Sequence, residues 1–276
     1  MLNDPTRCKA IKTAVIPLIE QESRMTKKII PIALFVFMFA PLYSGASSHD
    51  AKALVEAGFH YMRDKASVSR VDMTIHRSDW QRVFTLKAWT LGDKESLFTI
   101  IAPAKDAGNG TLKKGRQMWM YNPKINRVIK LPPSLMSQSW MGSDFSNNDL
   151  AKSDSLINEY THTIIGTERH EGKKVFIVKS IPKPKAPVVW GMQELKIRED
   201  NLFLEQAFYD EDLKLVKVLK FLEIQMLGGK LYPKKLIMQK VDDPEKYTVV
   251  EYKTLLFKES LPAGLFTLSN LKKPKR

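Results

Sequence analysis

The amino-acid sequence predicts a mainly β protein with a few helices, its strands forming one strongly curved antiparallel sheet. Three observations lead there. Apolar and polar residues alternate with period two through most of the chain, as in strands half buried in a sheet. The alternating stretches recur at short intervals and are joined by tight polar turns. No helical stretch separates them, whereas parallel pairing needs a crossover of a dozen or more residues. About ten consecutive strands are too many for a flat sheet, so the sheet must curl strongly or close.

The N-terminus reads as an address. Lys27 and Lys28 precede a nearly unbroken apolar run over 29–42, and Ser44-Gly45-Ala46 follows with small residues. Charged, apolar and small-residue parts in that order make a secretory signal. The run is shorter than the roughly 20 residues a membrane-crossing helix needs, and Pro31 and Pro41 interrupt it. Cleavage is expected near Ala46, with 25–46 the signal peptide and 1–24 an extended or mis-assigned N-terminus (Met1 or Met25 as initiator). The one cysteine, Cys8, does not follow the apolar run, so no lipid anchor is expected. The expected location is the periplasm.

The remainder, 47–276, reads as one domain. It is large enough to bury a core without disulfides, and no composition break divides it. Residues 50–65 read as an amphipathic helix, with Ala53, Leu54, Ala57, Phe59, Tyr61 and Met62 broadly on one side. Then Val71, Met73 and Ile75 alternate with polar residues, as do Phe84, Leu86 and Ala88; Gly92-Asp93 makes a turn before 97–101. Strands are expected at 117–121 and 127–131 around Asn122-Pro123-Lys124. Further strands are expected at 160–167 and 175–181 around His170-Glu171-Gly172-Lys173, and then at 188–198, 202–209, 215–224, 231–241 and 247–257. Residues 181–187 are proline-rich and read as a stiff loop. A short closing helix is expected within 261–271.

Catalytic chemistry finds little support. There is no Gly-x-Ser-x-Gly elbow. The five histidines are scattered, without metal-ligand spacing. Asp242-Asp243 and Glu211-Asp212 sit in turns, where solvated carboxylates are the ordinary case. No cofactor or metal is expected, and the protein is expected not to be an enzyme. An envelope hydrolase would rest only on those carboxylates and Ser143. The charge says more about partners. The whole chain carries a net +14. Removing 1–46 takes away six basic and three acidic residues, leaving 38 and 27, a net +11. An exported cation of that size points to membrane surfaces or acidic proteins rather than nucleic acid.

After Pro133 the strand pattern stops for about twenty residues, yet Leu135, Met136, Trp140, Met141, Phe145 and Leu150 lie among serines and asparagines. A long strandless loop with large apolar side chains reads either as a lid over a binding site or as a plug of ordinary core. Ser143-Asp144 and Asn147-Asn148-Asp149 within it suit turn and helix-cap duty.

Gly115-Arg116-Gln117-Met118-Trp119-Met120-Tyr121-Asn122-Pro123-Lys124, followed by Met141-Gly142-Ser143-Asp144-Phe145-Ser146-Asn147-Asn148-Asp149-Leu150, resembles the outer membrane lipoprotein-sorting proteins, relatives of the LolA/LolB-like periplasmic carriers. The resemblance implies an open half-barrel covered by helices and a lid, with an apolar cavity for acyl chains. On that basis the expected lipid-contacting residues are Phe84, Leu86, Phe98, Trp119, Tyr121, Leu135, Met136, Trp140, Met141 and Phe145. The expected function is carriage of lipid or lipoprotein acyl chains between membranes, or to an inner-membrane exporter or outer-membrane acceptor. The alternative is an accessory module of an inner-membrane exporter complex that shuttles nothing.

Overall fold

A computed structural model of the chain describes residues 48–262 and 264–273; the expected signal peptide lies outside them. Helix α1 (Ser48–Arg63) leads into strands β1 (Ala66–His76), β2 (Gln81–Leu91), β3 (Glu95–Ala102), β4 (Gly110–Lys114), β5 (Gln117–Asn122) and β6 (Arg127–Lys130). Two 3-10 turns, Pro133–Leu135 and Trp140–Gly142, and two short helices, α2 (Asn147–Ala151) and α3 (Ser155–Asn158), follow. The chain continues through β7 (Tyr160–His170), β8 (Lys173–Pro182), β9 (Met192–Arg198), β10 (Phe203–Tyr209), β11 (Leu215–Leu227), β12 (Lys230–Lys240) and β13 (Tyr247–Lys258), then α4 (Leu268–Lys272).

All thirteen strands share one sheet, in the order β6-β5-β4-β3-β2-β1-β13-β12-β11-β10-β9-β8-β7. Each chain-consecutive pair within β1–β6 and within β7–β13 is antiparallel, and β1 closes the series on β13. The sheet is open, as the family resemblance implies, because the edge strands β6 and β7 do not pair. Register shifts at Arg70/Val71, Thr85/Leu86, Ile164/Gly166 and Phe208/Tyr209 add bulges, and bulges bend the strands that carry them. Since β6 and β7 are consecutive in sequence, the segment between them must travel from one edge of the sheet to the other. That segment is the strandless loop.

The sheet buries its two faces differently. On the inner face, α1 lays Ala51, Val55 and Phe59, a stripe at four-residue spacing, against Leu195, Ile197, Phe203 and Phe221. Ala53, expected on the buried side, is exposed. The helix end is held from β12: Lys230 Nζ donates to the Tyr61 carbonyl at 2.6 Å and to Asp64 at 2.8 Å, a cation where the helix dipole is negative. Over β1–β5, Val71, Met73, Phe84, Leu86 and Ile100 pack under Trp140 and Ala151 of the crossing segment. The outer face of this same half is covered as well. Trp89, Leu97 and Leu112 lie in one cross-strand row that continues to Trp119, and Leu265, Phe266 and Leu271 of the C-terminal segment pack on it.

The strand expected at 188–198 begins only at Met192. Gly191 explains the delay: its N–H donates to the Tyr209 carbonyl, and a Cβ there would lie 2.3 Å from the Asp210 carbonyl oxygen. The backbone therefore passes where only glycine fits, and 188–190 turn toward the inner face. The closing helix is confined to Leu268–Lys272, started by the Thr267 hydroxyl accepting from the Asn270 N–H at 3.2 Å. Strand β4, not read from the sequence, completes the thirteen.

His162 on β7 is buried beside Ser180 of β8, with Nδ1 2.9 Å from the hydroxyl and Nε2 without a partner. Burial pushes its imidazole down to about 4, so the folded state holds it neutral while the unfolded chain protonates it below about 6.5. Its contribution is complete above that value and is lost as pH falls toward 4, up to about 3 kcal/mol. Urea denaturation from pH 7.5 to 4 should show stability falling across this window, with a shallower fall in His162→Asn.

Candidate functional site: a lidded apolar cavity

Between the inner face, α1 and the crossing segment lies a cavity of about 340 Å³. Its wall is built from alternate residues of many strands: Val71 and Met73 of β1, Leu86 and Ala88 of β2, Phe98 of β3, Phe203 and Phe208 of β10, Leu219 and Phe221 of β11, and Val250 and Tyr252 of β13. Tyr232 of β12 is buried, edge-on to Tyr252 at 5.3 Å, and burial holds its phenol well above the usual range. Trp140, Phe145 and Leu150 roof the cavity from the crossing segment. Met62 and Arg63 at the end of α1, Lys152 and Ser153 between α2 and α3, and Val188 to Trp190 are among the lining residues that keep some exposure, and we place the mouth among them.

The roof is fixed by buried charge. Asp144 Oδ2 accepts from Arg77 Nη1 at 3.1 Å and from the Thr248 hydroxyl at 2.6 Å, while the Asp144 N–H donates to Thr248 Oγ1 at 3.0 Å. Arg77 also reaches the Gly142 carbonyl at 2.9 Å. Five residues on, Asp149 pairs with Lys217 of β11, and both side chains are buried. The Lys217 ammonium lies 5.0 Å from the Trp190 ring centroid and 5.3 Å from that of Phe208. Asp149 and Ser146 form a reciprocal capping box that starts α2, and Trp140 Nε1–H donates to Thr111 Oγ1 at 3.0 Å with its ring edge-on to Phe98. Residues 140–149 are thus stapled to β1, β3, β4, β11 and β13. At the mouth the ties are slighter: exposed bonds from Lys152 Nζ to the Pro187 carbonyl and from Lys183 Nζ to the Asn158 carbonyl. Beyond Lys152 the segment is anchored again, with Leu156 of α3 buried in the core cluster that holds Ala51, Val55 and Phe59 of α1.

The ten residues singled out from the sequence are scattered by this geometry. Leu86, Phe98, Trp140 and Phe145 line the cavity. Phe84 is core beside it, with Met136 and Met141 packed on the same cluster. Leu135 is half-buried in its 3-10 turn, its carbonyl accepting from Asn147 Nδ2 at 2.9 Å. Trp119 and Tyr121 sit on the outer face beneath the C-terminal segment, away from the cavity. The hydroxyl of Ser143 is buried and donates to the Trp140 carbonyl at 2.6 Å, a turn staple. Among the described residues no group of three or more His, Cys, Asp or Glu is placed to hold a metal, and no helix is long and apolar enough to cross a membrane.

Sequence reading missed the polar end of the cavity. Ser67 and Thr90 are cross-strand partners whose hydroxyls meet at 2.7 Å, and their inner row continues through Ser96 to Lys113. Lys113 is buried, its ammonium donating to the Asp93 carbonyl. Burial first, and the charge of Arg63 second, push it down to about 8. The serines of β1 carried a signal, since they take the same alternate positions as Val71 and Met73.

The open curved antiparallel sheet is a fold shared with lipoprotein-sorting and LolA-superfamily proteins of known structure. An outer membrane lipoprotein-sorting protein domain from Vibrio parahaemolyticus superposes with a TM-score of 0.72 at 20% identity, over 82% of this chain and 100% of its own. A DUF1329 family protein from Desulfovibrio piger gives 0.71 at 24% identity, over 80% and 98%. A LolA superfamily protein from Nitrosomonas europaea gives 0.65 at 19% identity, over 79% and 98%. No curated protein matches the sequence. A family model described as an uncharacterized protein matches residues 92–273, and the chain belongs to that family.

The staple has a measurable consequence. Removing one partner of a buried ion pair strands the other charge, at a cost of about 3–5 kcal/mol, while removing both is far milder. Urea denaturation should therefore show Lys217→Met strongly destabilised and Lys217→Met/Asp149→Asn recovering more than half of the loss.

Proposed function

We propose that this protein is a periplasmic carrier that takes a lipid acyl chain, free or as part of a lipoprotein, into the lidded cavity and hands it to another membrane or to an envelope partner. The observation that carries this reading is the cavity itself, walled by Val71, Leu86, Phe98, Phe203 and Phe221 and open at a mouth. Its size falls within the roughly 300–1,000 Å³ of small-ligand sites. Each methylene buried there contributes about 0.8 kcal/mol, so a sixteen-carbon chain offers on the order of 10 kcal/mol before ordering costs. That gain draws a chain out of water and also slows its release. A stapled lid with an exposed rim meets both demands, since the staple keeps the cavity formed while the rim at Lys152 and Val188 to Trp190 is where a chain passes. The cations around the mouth favour an anionic surface as donor or acceptor.

The signal-like segment 25–46 supports export, and the likeness to the Vibrio lipoprotein-sorting domain supports a part in lipoprotein sorting. No catalysis is proposed. The second reading, an accessory module that docks on an inner-membrane exporter without shuttling, draws support from the buried staple, which holds most of the lid in place.

Native mass spectrometry of the protein recovered from its own periplasm should find it carrying lipid. Leu86→Trp, which fills the cavity from β2, should lose that lipid, whereas Trp119→Phe on the outer face should keep it. An empty wild-type protein that takes up no added lipid, yet retrieves a membrane complex, would replace the carrier with the accessory module.

A further inference from the structure

The cavity lining contains three charged side chains, Arg63, Asp149 and Lys152. Asp149 is paired with Lys217. Lys152 is held by the Pro187 carbonyl oxygen and has no counter-ion among the described residues. Arg63 has no ionic partner among the described residues; its guanidinium carbon lies 5.8 Å from the Phe59 ring centroid. Its place is fixed by the end of α1, where the Tyr232 hydroxyl donates to the Met62 carbonyl at 3.2 Å. Ser67, Ser69 and Thr90 line the same cavity from β1 and β2. Ser69 is buried as a residue, at 7% exposure. Ser153 Oγ, also in the lining, is buried without a partner among the described residues; so are Asn148 Oδ1 and Asp149 Oδ1, but these are acceptors and take no part in holding an anion.

Buried polar groups in folded proteins are paired as a rule, and those that are not call for an explanation. Here two cations without a carboxylate partner among the described residues, Arg63 and Lys152, share the cavity with the hydroxyls of Ser67, Ser69, Thr90 and Ser153 and the amides of Gln193 and Gln206, while most of the remaining wall is aliphatic and aromatic. Such a lining suits a molecule with one greasy part and one anionic, hydrogen-bond-accepting part. We infer that the cavity selects a single-chain amphiphile with a carboxylate or phosphate head, the head seated by Arg63 and Ser69 and the tail against Val71, Leu86 and Phe221. This inference rests on the acyl-carrier reading and adds the class of cargo.

The test titrates the purified, delipidated protein with laurate, dodecyl phosphate and dodecanol, three probes with the same tail, by calorimetry. At least one anionic probe should bind about tenfold more tightly than the alcohol, the scale of a charge-assisted contact, and the tighter of the two identifies the head. Arg63→Gln should remove most of that preference, and Arg63→Lys should restore part of it. Ser69→Ala should narrow it without touching the helix end, which keeps the test decisive if Arg63→Gln fails to fold. Equal binding of all three probes in wild type would overturn the head-group inference and leave the acyl reading standing. Binding of none would overturn both.

Discussion

The burial of Asp144 and Asp149 opposite Arg77 and Lys217 is the constraint on which the rest of the structure depends. A thirteen-stranded sheet that never joins its edges has nothing intrinsic to keep its inner face covered. Apolar contacts alone would let a roof slide, since they are not directional. Paired buried charges do not slide, because each must meet its partner or bear the cost of desolvation alone. The aspartates therefore define where the crossing segment sits, and Trp140 and Phe145 follow as side chains carried on a fixed frame. The aromatic faces of Trp190 and Phe208 beside Lys217 extend the same constraint to the loop at the mouth.

Rigidity and access are separated along one short stretch of chain. Between Trp140 and Asp149 the backbone is committed to the sheet through buried bonds; around Lys152 and Asn158 it is tied by exposed lysine–carbonyl bonds, with Leu156 between them buried in the core beside α1. Exposed contacts of this kind are screened and worth little. The buried bonds thus hold the shape of the cavity, while the exposed ones border its rim. The opposite covering, the C-terminal segment on the outer face, backs the same strands and keeps β2 to β5 from flattening.

Much of this was legible in the sequence. Alternation located twelve of the strands, at least in part, and the break after Pro133 located the crossing segment. Ser146-x-x-Asp149 is a cap pattern that the residue types alone reveal. Facing was harder to read. Trp119 and Tyr121 look like cavity residues because β5 is buried on both sides, so its alternation cannot say which side is which; only the row from Trp89 through Leu97 and Leu112 decides. The far wall, Phe203, Phe208 and Phe221, belongs to strands more than a hundred residues from β2, and no local pattern brings them together. Asp144 and Asp149 read as turn residues by type. Their ionic partners, 67 and 68 residues away, turn them into buried anchors, and that is a property of register.

The pairing of β1 with β13 has a consequence for the order of assembly. A chain that emerges N-terminus first produces β1 nearly 200 residues before the strand that flanks it, and Lys217 and Thr248 also arrive after the aspartates they hold. Contacts so distant along the chain are slow to form. Until the last hairpin is out, the central strand β1 is paired on its β2 side alone and the roof lacks its anchors, so the complete sheet can form only late. Any passage that requires an unstructured chain would find this protein pliable for most of its length.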